Sequence, residues 1–128
     1  MDKKIITTGA FLGMLAIILG AFGAHALKKV LSIEELVTFE TGVRYQMYHA
    51  LFLLFVATRK ELSQKTLKVI YNLVVAGVIF FSGSIYLLAT NNLTTFDFKI
   101  IGFVTPIGGL LLILAWLVLF VKIIKQKS

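Results

Sequence analysis

Glu40, Arg44, Tyr45, Tyr48 and His49 stand within one short stretch of an otherwise apolar chain, and His25 is the only other histidine. At about 100° per residue on a helix, Glu40, Thr41, Arg44, Tyr45, Tyr48 and His49 share one half of the circumference, with Gln46 off that face. Arg44 offers a planar, bidentate donor suited to a phosphate or a carboxylate. Glu40, one turn earlier, is in the favourable order for an ion pair that would orient the guanidinium. The phenols can hydrogen-bond while their rings fill space. Ionisable groups inside a membrane are costly unless paired or hydrated, so this stretch is where function is to be sought.

Two other chemistries use the same residues. Two histidines and a carboxylate could ligate a metal, but His25 and His49 fall at different depths and no His-x-x-His supports them. His49 could act as a base and Tyr48 as an acid. No Gly-x-Ser-x-Gly, His-Glu-x-x-His or paired intramembrane aspartates accompany them. We therefore assign no catalytic residues, no metal and no cofactor, and expect no enzyme. With no cysteine, disulfides, thiolate metal sites and lipoprotein acylation drop out.

The elements that must position these side chains follow from run length. The 128 residues are 59% hydrophobic and 15% charged, well outside the balance of a soluble domain. Segments 5–27, 69–90 and 100–121 are nearly free of charge, and roughly 20 residues cross a hydrocarbon core. Segment 37–58 becomes a fourth span if Glu40, Arg44 and His49 face protein or water. Lys3, Lys4, Arg59, Lys60, Lys65, Lys68, Lys122, Lys125 and Lys127 then lie on one side, which the positive-inside rule makes cytoplasmic. The expected fold is all-α: a single-domain integral membrane four-helix bundle over residues 1–128, in the cell membrane with both termini cytoplasmic. The net charge of +7 is explained by juxtamembrane contact with anionic lipid, so no nucleic-acid partner is expected. Lys3 and Lys4 before an apolar run, with Ala24-His25-Ala26 after it, resemble a signal peptide. The run is longer than a usual signal core and carries glycines in a packing pattern, so it is read as a retained span.

Local signals refine the helices. Gly9, Gly13, Ala16, Gly20, Gly23 and Ala24 recur at steps of three and four, a small-residue face suited to close helix packing or to a substrate groove. Ser32 and Glu35 form a capping box, with Leu31 and Leu36 as a hydrophobic staple, so the second helix begins outside the membrane. Pro106 predicts a kink or loosened turn in the last span, serving as a hinge or a static bend.

Two strings, Gly20-Ala-Phe-Gly-Ala-His-Ala-Leu27 and Phe39-Glu-Thr-Gly-Val-Arg-Tyr-Gln-Met-Tyr-His-Ala50, resemble the signature of domain-of-unknown-function family 423, also called uncharacterised protein family 0382. The resemblance runs through the whole chain and implies a small four-span membrane protein, with His25, Arg44, Tyr45, Tyr48 and His49 matching its motif. It implies no activity. From the residues themselves the leading expectation is a binding or translocation site for a small anionic or lipidic ligand, open to the outer leaflet. Arg44, Glu40, Tyr45, Tyr48, His49 and His25 would form it. The alternative is a structural or assembly protein, a homo-oligomer or partner scaffold, in which Glu40–Arg44 is a buried clamp setting helix register. Membrane lipids are expected partners in either case.

Overall fold

The computed structural model describes residues 2–95 and 97–126; Lys127, counted above among the cytoplasmic basic residues, lies outside them. The described residues are helical, without strands. Helix α1 spans Asp2–His25 and α2 spans Ile33–Ala57; α3, Gln64–Val78, runs through a π-helical turn at Ile79–Gly83 into α4, Ser84–Ala89; and α5 spans Val104–Ile124. Short 3-10 turns at Leu27–Lys29, Asn91–Leu93 and Phe98–Ile101 complete the path. The helical stretches 2–29, 64–89 and 98–124 are each long and apolar enough to cross a membrane. Their outer surfaces carry large exposed apolar side chains such as Phe11, Ile17, Phe22, Ile113 and Phe120, as lipid-facing helices do. Helix α2 is of equal length, but its polar first half keeps it out of that set.

Helix α2 is nonetheless central, with nine buried residues from Phe39 to Ala57. Its start is built as the sequence predicts. The Ser32 N–H donates to Glu35 Oε1 at 2.8 Å, and the Glu35 N–H donates to Ser32 Oγ at 3.1 Å. Leu31 is buried and Leu36 packs into the same cluster, with Leu27, Phe39 and Ala89, which closes the staple. Asn92 donates to the other Glu35 oxygen at 2.6 Å, tying this cap to the turn after α4. The Ser32 N–H, aided by Asn92, holds the Glu35 carboxyl below the usual carboxylate range.

The small-residue face of α1 packs on α2. A Cβ added at Gly9 would lie 3.0 Å from the Ala50 carbonyl oxygen, and one at Gly23 would lie 3.1 Å from the Phe39 ring. Ala16 on the same face is fully buried, whereas Ala24 is exposed. The face is therefore a packing surface and not a groove. Closer approaches hold the other helices. A Cβ at Gly42 would come within 2.7 Å of the Tyr86 ring, and one at Gly77 within 2.6 Å of Leu112. Gly108 of α5 sits directly against the backbone of Phe80 and Phe81 in the π turn. Dispersion from such approaches drives association where lipid tails are as apolar as leucine. Ile5, Leu53, Val56, Leu67, Ile70 and Val74 fill the core beneath them.

Pro106 differs from expectation. The chain breaks earlier, at Gly102–Phe103, and α5 begins at Val104, so Pro106 occupies its first turn. An N–H there has no intrahelical acceptor, so the proline removes nothing and no mid-helix hinge forms.

Two outcomes test this packing. Gly108→Ala should destabilise the fold by about 1–3 kcal/mol through overpacking, whereas Gly83→Ala, which would meet nothing within 4 Å, should be neutral or slightly stabilising; thermal unfolding in detergent compares them. The Glu35 link should also show in pH. Its folded carboxyl titrates below the unfolded value, so its contribution is present above the ordinary carboxylate pKa and fades as pH falls through the lowered one. Melting temperatures of wild type and Glu35→Gln should therefore differ at pH 7 and converge in acid, and a constant gap would contradict the cap's role.

Candidate functional site

The polar half of α2 is divided between two directions. Glu40, Arg44 and Tyr48 are exposed on the side turned away from the core, while His49 is buried toward α5 and Tyr45 stands between. The expected Glu40–Arg44 ion pair is not made: the carboxylate and guanidinium are not within 4.0 Å, and the ion pair among the described residues is Arg59–Glu61 at 3.9 Å. Arg44 instead donates from Nη2 to Thr41 Oγ1 at 3.2 Å. Thr41 accepts this while giving its own proton to the Val37 carbonyl. A buried clamp within one chain is therefore absent, because Arg44 finds a nearer acceptor on its own helix. Thr41 lies about 60° from Arg44 around the helix, so the bond is made on the flank of Arg44 that carries Tyr45.

Between α2 and α5 runs an open groove. One part, of about 340 Å³, is lined by Tyr45, His49, Phe81, Gly109, Ile113 and Trp116, among others. Its aromatic walls are interlocked: Tyr45 packs on Phe81 and edge-on to Tyr48, and Trp116 packs on Phe52 at 4.2 Å. Gly109 keeps it open, since a side chain there would project toward the Phe81 ring.

The His49 ring is fixed from both sides. Its Nδ1–H donates to the Tyr45 carbonyl at 2.7 Å, and its Nε2 accepts from the Trp116 indole N–H at 3.0 Å. A carbonyl can only accept and an indole N–H can only donate, so this geometry selects the neutral Nδ1–H tautomer. The lone pair that general-base chemistry would need is thus occupied. His25 ends α1, exposed, on the opposite flank of α2 from the groove, and lines none of the cavities described here. No group of three or more His, Cys, Asp or Glu side chains converges among the described residues.

Sequence reading missed the polar residue on the other face. Gln46 is buried, donates from Nε2 to the Leu12 carbonyl at 2.8 Å, and accepts at Oε1 from the Tyr86 hydroxyl at 2.6 Å. Nearby, Ser82 Oγ donates to the Gly42 carbonyl at 2.7 Å. Gln46 also borders an apolar cleft of about 530 Å³ between α1 and the α3–α4 helix, whose walls include Phe11, Leu15, Val75 and Ile79. The signal for it was available: an amide opposite the charged face, in a helix that must bury that side. Gln46→Leu should cost about 1–2 kcal/mol by orphaning the Tyr86 hydroxyl, and adding Tyr86→Phe should recover part of the loss. Equilibrium unfolding of the single and double variants measures that coupling.

The comparisons with known proteins agree in one direction. The model of a family described as a protein of unknown function, DUF423, matches residues 19–109. A UPF0382 membrane protein of Staphylococcus saprophyticus is 40% identical over 123 residues, covering 96% of this chain and 98% of the relative. YwdK, a UPF0382 membrane protein of Bacillus subtilis, is 38% identical over 125 residues, covering 96% and 98%. YgdD, a UPF0382 inner membrane protein of Escherichia coli, is 33% identical over 130 residues, covering 98% and 93%. No solved structure matches.

Proposed function

We propose a function for this chain, which belongs to the DUF423 (UPF0382) family of membrane proteins, from its own geometry: it binds an anionic amphiphile in the groove between α2 and α5. The observation that carries the reading is an exposed arginine, bonded to Thr41 on its own helix, one residue before Tyr45 in the wall of an aromatic groove of about 340 Å³. Arg44 presents donors to a phosphate or carboxylate, and Tyr45 and Tyr48 add hydroxyls at the same level. The hydrocarbon part of the ligand lies against Phe81, Ile113 and Trp116. His49 sets the floor as a rigid, neutral ring and takes no part in proton transfer, so the role is binding or translocation and not catalysis.

This reading carries a topology. Helix α2 is the fourth span of a four-helix bundle in the cell membrane, with both termini cytoplasmic and the Arg44 end of the groove toward the outer leaflet. The basic residues near both termini and at 59–68 support that orientation. His25 then stands at the outer boundary, beside the groove's entrance level but outside the groove.

One observation favours a second reading, assembly. Glu40 and Arg44 are exposed on the face away from the core, and neither pairs with the other within the chain. Two copies meeting along that face would join unlike charges across the interface, where lipid tails could not solvate them.

Native mass spectrometry of gently extracted protein separates the two. A small molecule retained by wild type and lost from intact Arg44→Leu and Gly109→Leu is the expected result. The second variant fills the groove without touching the guanidinium. A ligand-free wild type whose oligomer collapses in Arg44→Leu alone would establish the assembly reading instead.

A further inference from the structure

At the other end of the same interhelical face lies a second cleft, of about 530 Å³, lined by Phe55, Arg59, Glu61, Trp116, Phe120 and Ile123, among others. Trp116 belongs to both clefts, so they meet at one side chain. Beside the lower cleft the Gln126 amide donates to the Glu61 carbonyl at 3.1 Å, fastening the end of α5 to the turn after α2.

Arg59 is held at the mouth of this cleft with donors to spare. Its guanidinium lies 5.3 Å from the centre of the Phe55 ring, within cation–π range. Its Nε is buried and has no hydrogen-bond partner. Its sole ion-pair partner among the described residues is Glu61, at a long 3.9 Å. The terminal nitrogens stay open to an anionic oxygen, the side chain being 41% exposed. The walls are apolar and open sideways, and α2 ends at Ala57, where a span meets the headgroup region. A ligand that fits must place an anionic oxygen at Arg59 and a hydrocarbon chain along Phe120 toward Trp116.

We propose that Arg59 and this cleft form a specific site for an anionic phospholipid of the leaflet on the 59–63 side. The phosphodiester accepts from the terminal nitrogens of the Arg59 guanidinium, and one acyl chain fills the cleft up to Trp116. Glu61 opposes the ligand's charge, so it tunes the site and does not bind. The site lies about 22 Å along α2 from Arg44 and stands independently of the outer reading.

Trp116 is the chain's single tryptophan and is 49% exposed, so its fluorescence reports on both clefts that share it, and the arginine variants tell them apart. The protein is reconstituted in phosphatidylcholine vesicles containing either phosphatidylglycerol or phosphatidylcholine brominated midway along the chains. Wild type is expected to be quenched by the brominated anionic lipid with roughly fivefold preference, the scale set by one interfacial cation. Equal quenching by the two lipids in wild type overturns the proposal whether or not any variant folds. Arg59→Gln should abolish the preference, whereas Lys60→Gln should retain it. Equal losses in both would mean general surface attraction and overturn the site. Glu61→Gln should match or exceed wild type, and a loss there also counts against it. Relief of quenching by inorganic phosphate at constant ionic strength would assign Arg59 to a free anion and refute the lipid. A preference that survives Arg59→Gln but vanishes in Arg44→Leu would refute this site while supporting the outer one.

Discussion

The amide of Gln46 joins three helices in the buried interior of the bundle. It reaches the Leu12 carbonyl on α1 with its nitrogen and receives the Tyr86 hydroxyl from α4 with its oxygen. Each bond alone is modest, yet the alternative to each is an unsatisfied polar group in an apolar interior. That asymmetry favours the rotation of α2 in which the amide meets both partners. With α2 so turned, Gly42 meets Tyr86, His49 faces Trp116, and Glu40, Arg44 and Tyr48 are left on the outside. The groove beside α5 is thus a consequence of where α2 places its polar core residue.

Close backbone approach does the rest of the holding. Gly9 and Gly23 bring α1 onto α2, Gly77 admits Leu112, and Gly108 brings α5 onto the backbone at Phe80 and Phe81. These contacts tie the molecule into two helix pairs, α1 with α2 and α3 with α5, bridged by the π turn and α4. The space along α2 and α5 remains wide, and aromatic rings line it instead of closing it.

What could be read from the sequence was local or periodic. Ser32 and Glu35 specify their cap within four residues, and the glycine steps of α1 mark a face without needing its partner. Run length alone found the apolar segments. The rest depended on partners far along the chain. Angular reasoning set Gln46 apart from the charged face, but its meaning required Leu12 and Tyr86, 34 residues before and 40 after. The charged face suggested an internal pair, since Glu40 and Arg44 have ideal spacing; the nearer Thr41 hydroxyl took Arg44 instead. Trp116 gave no sign of its bond to His49, because a tryptophan in a span is unremarkable without its neighbour. Pro106 was read as a break inside a helix, when the break at Gly102–Phe103 makes it part of a beginning.

The π turn at Ile79–Gly83 has a bearing on inheritance as well as on packing. A π turn holds one residue more than the α turn it replaces, so it is a length feature written into the gene and not into any side chain. Dropping a single codon there would leave a regular helix of good composition. It would keep the flanking helices nearly in phase, because an α turn completes the same rotation with one residue fewer, but it would remove the widened backbone of that turn. Gly108 would lose the backbone at Phe80 and Phe81 that it rests on. The seat of Gly108 therefore depends on the number of residues in that turn as well as on the absence of a side chain at Gly108 itself.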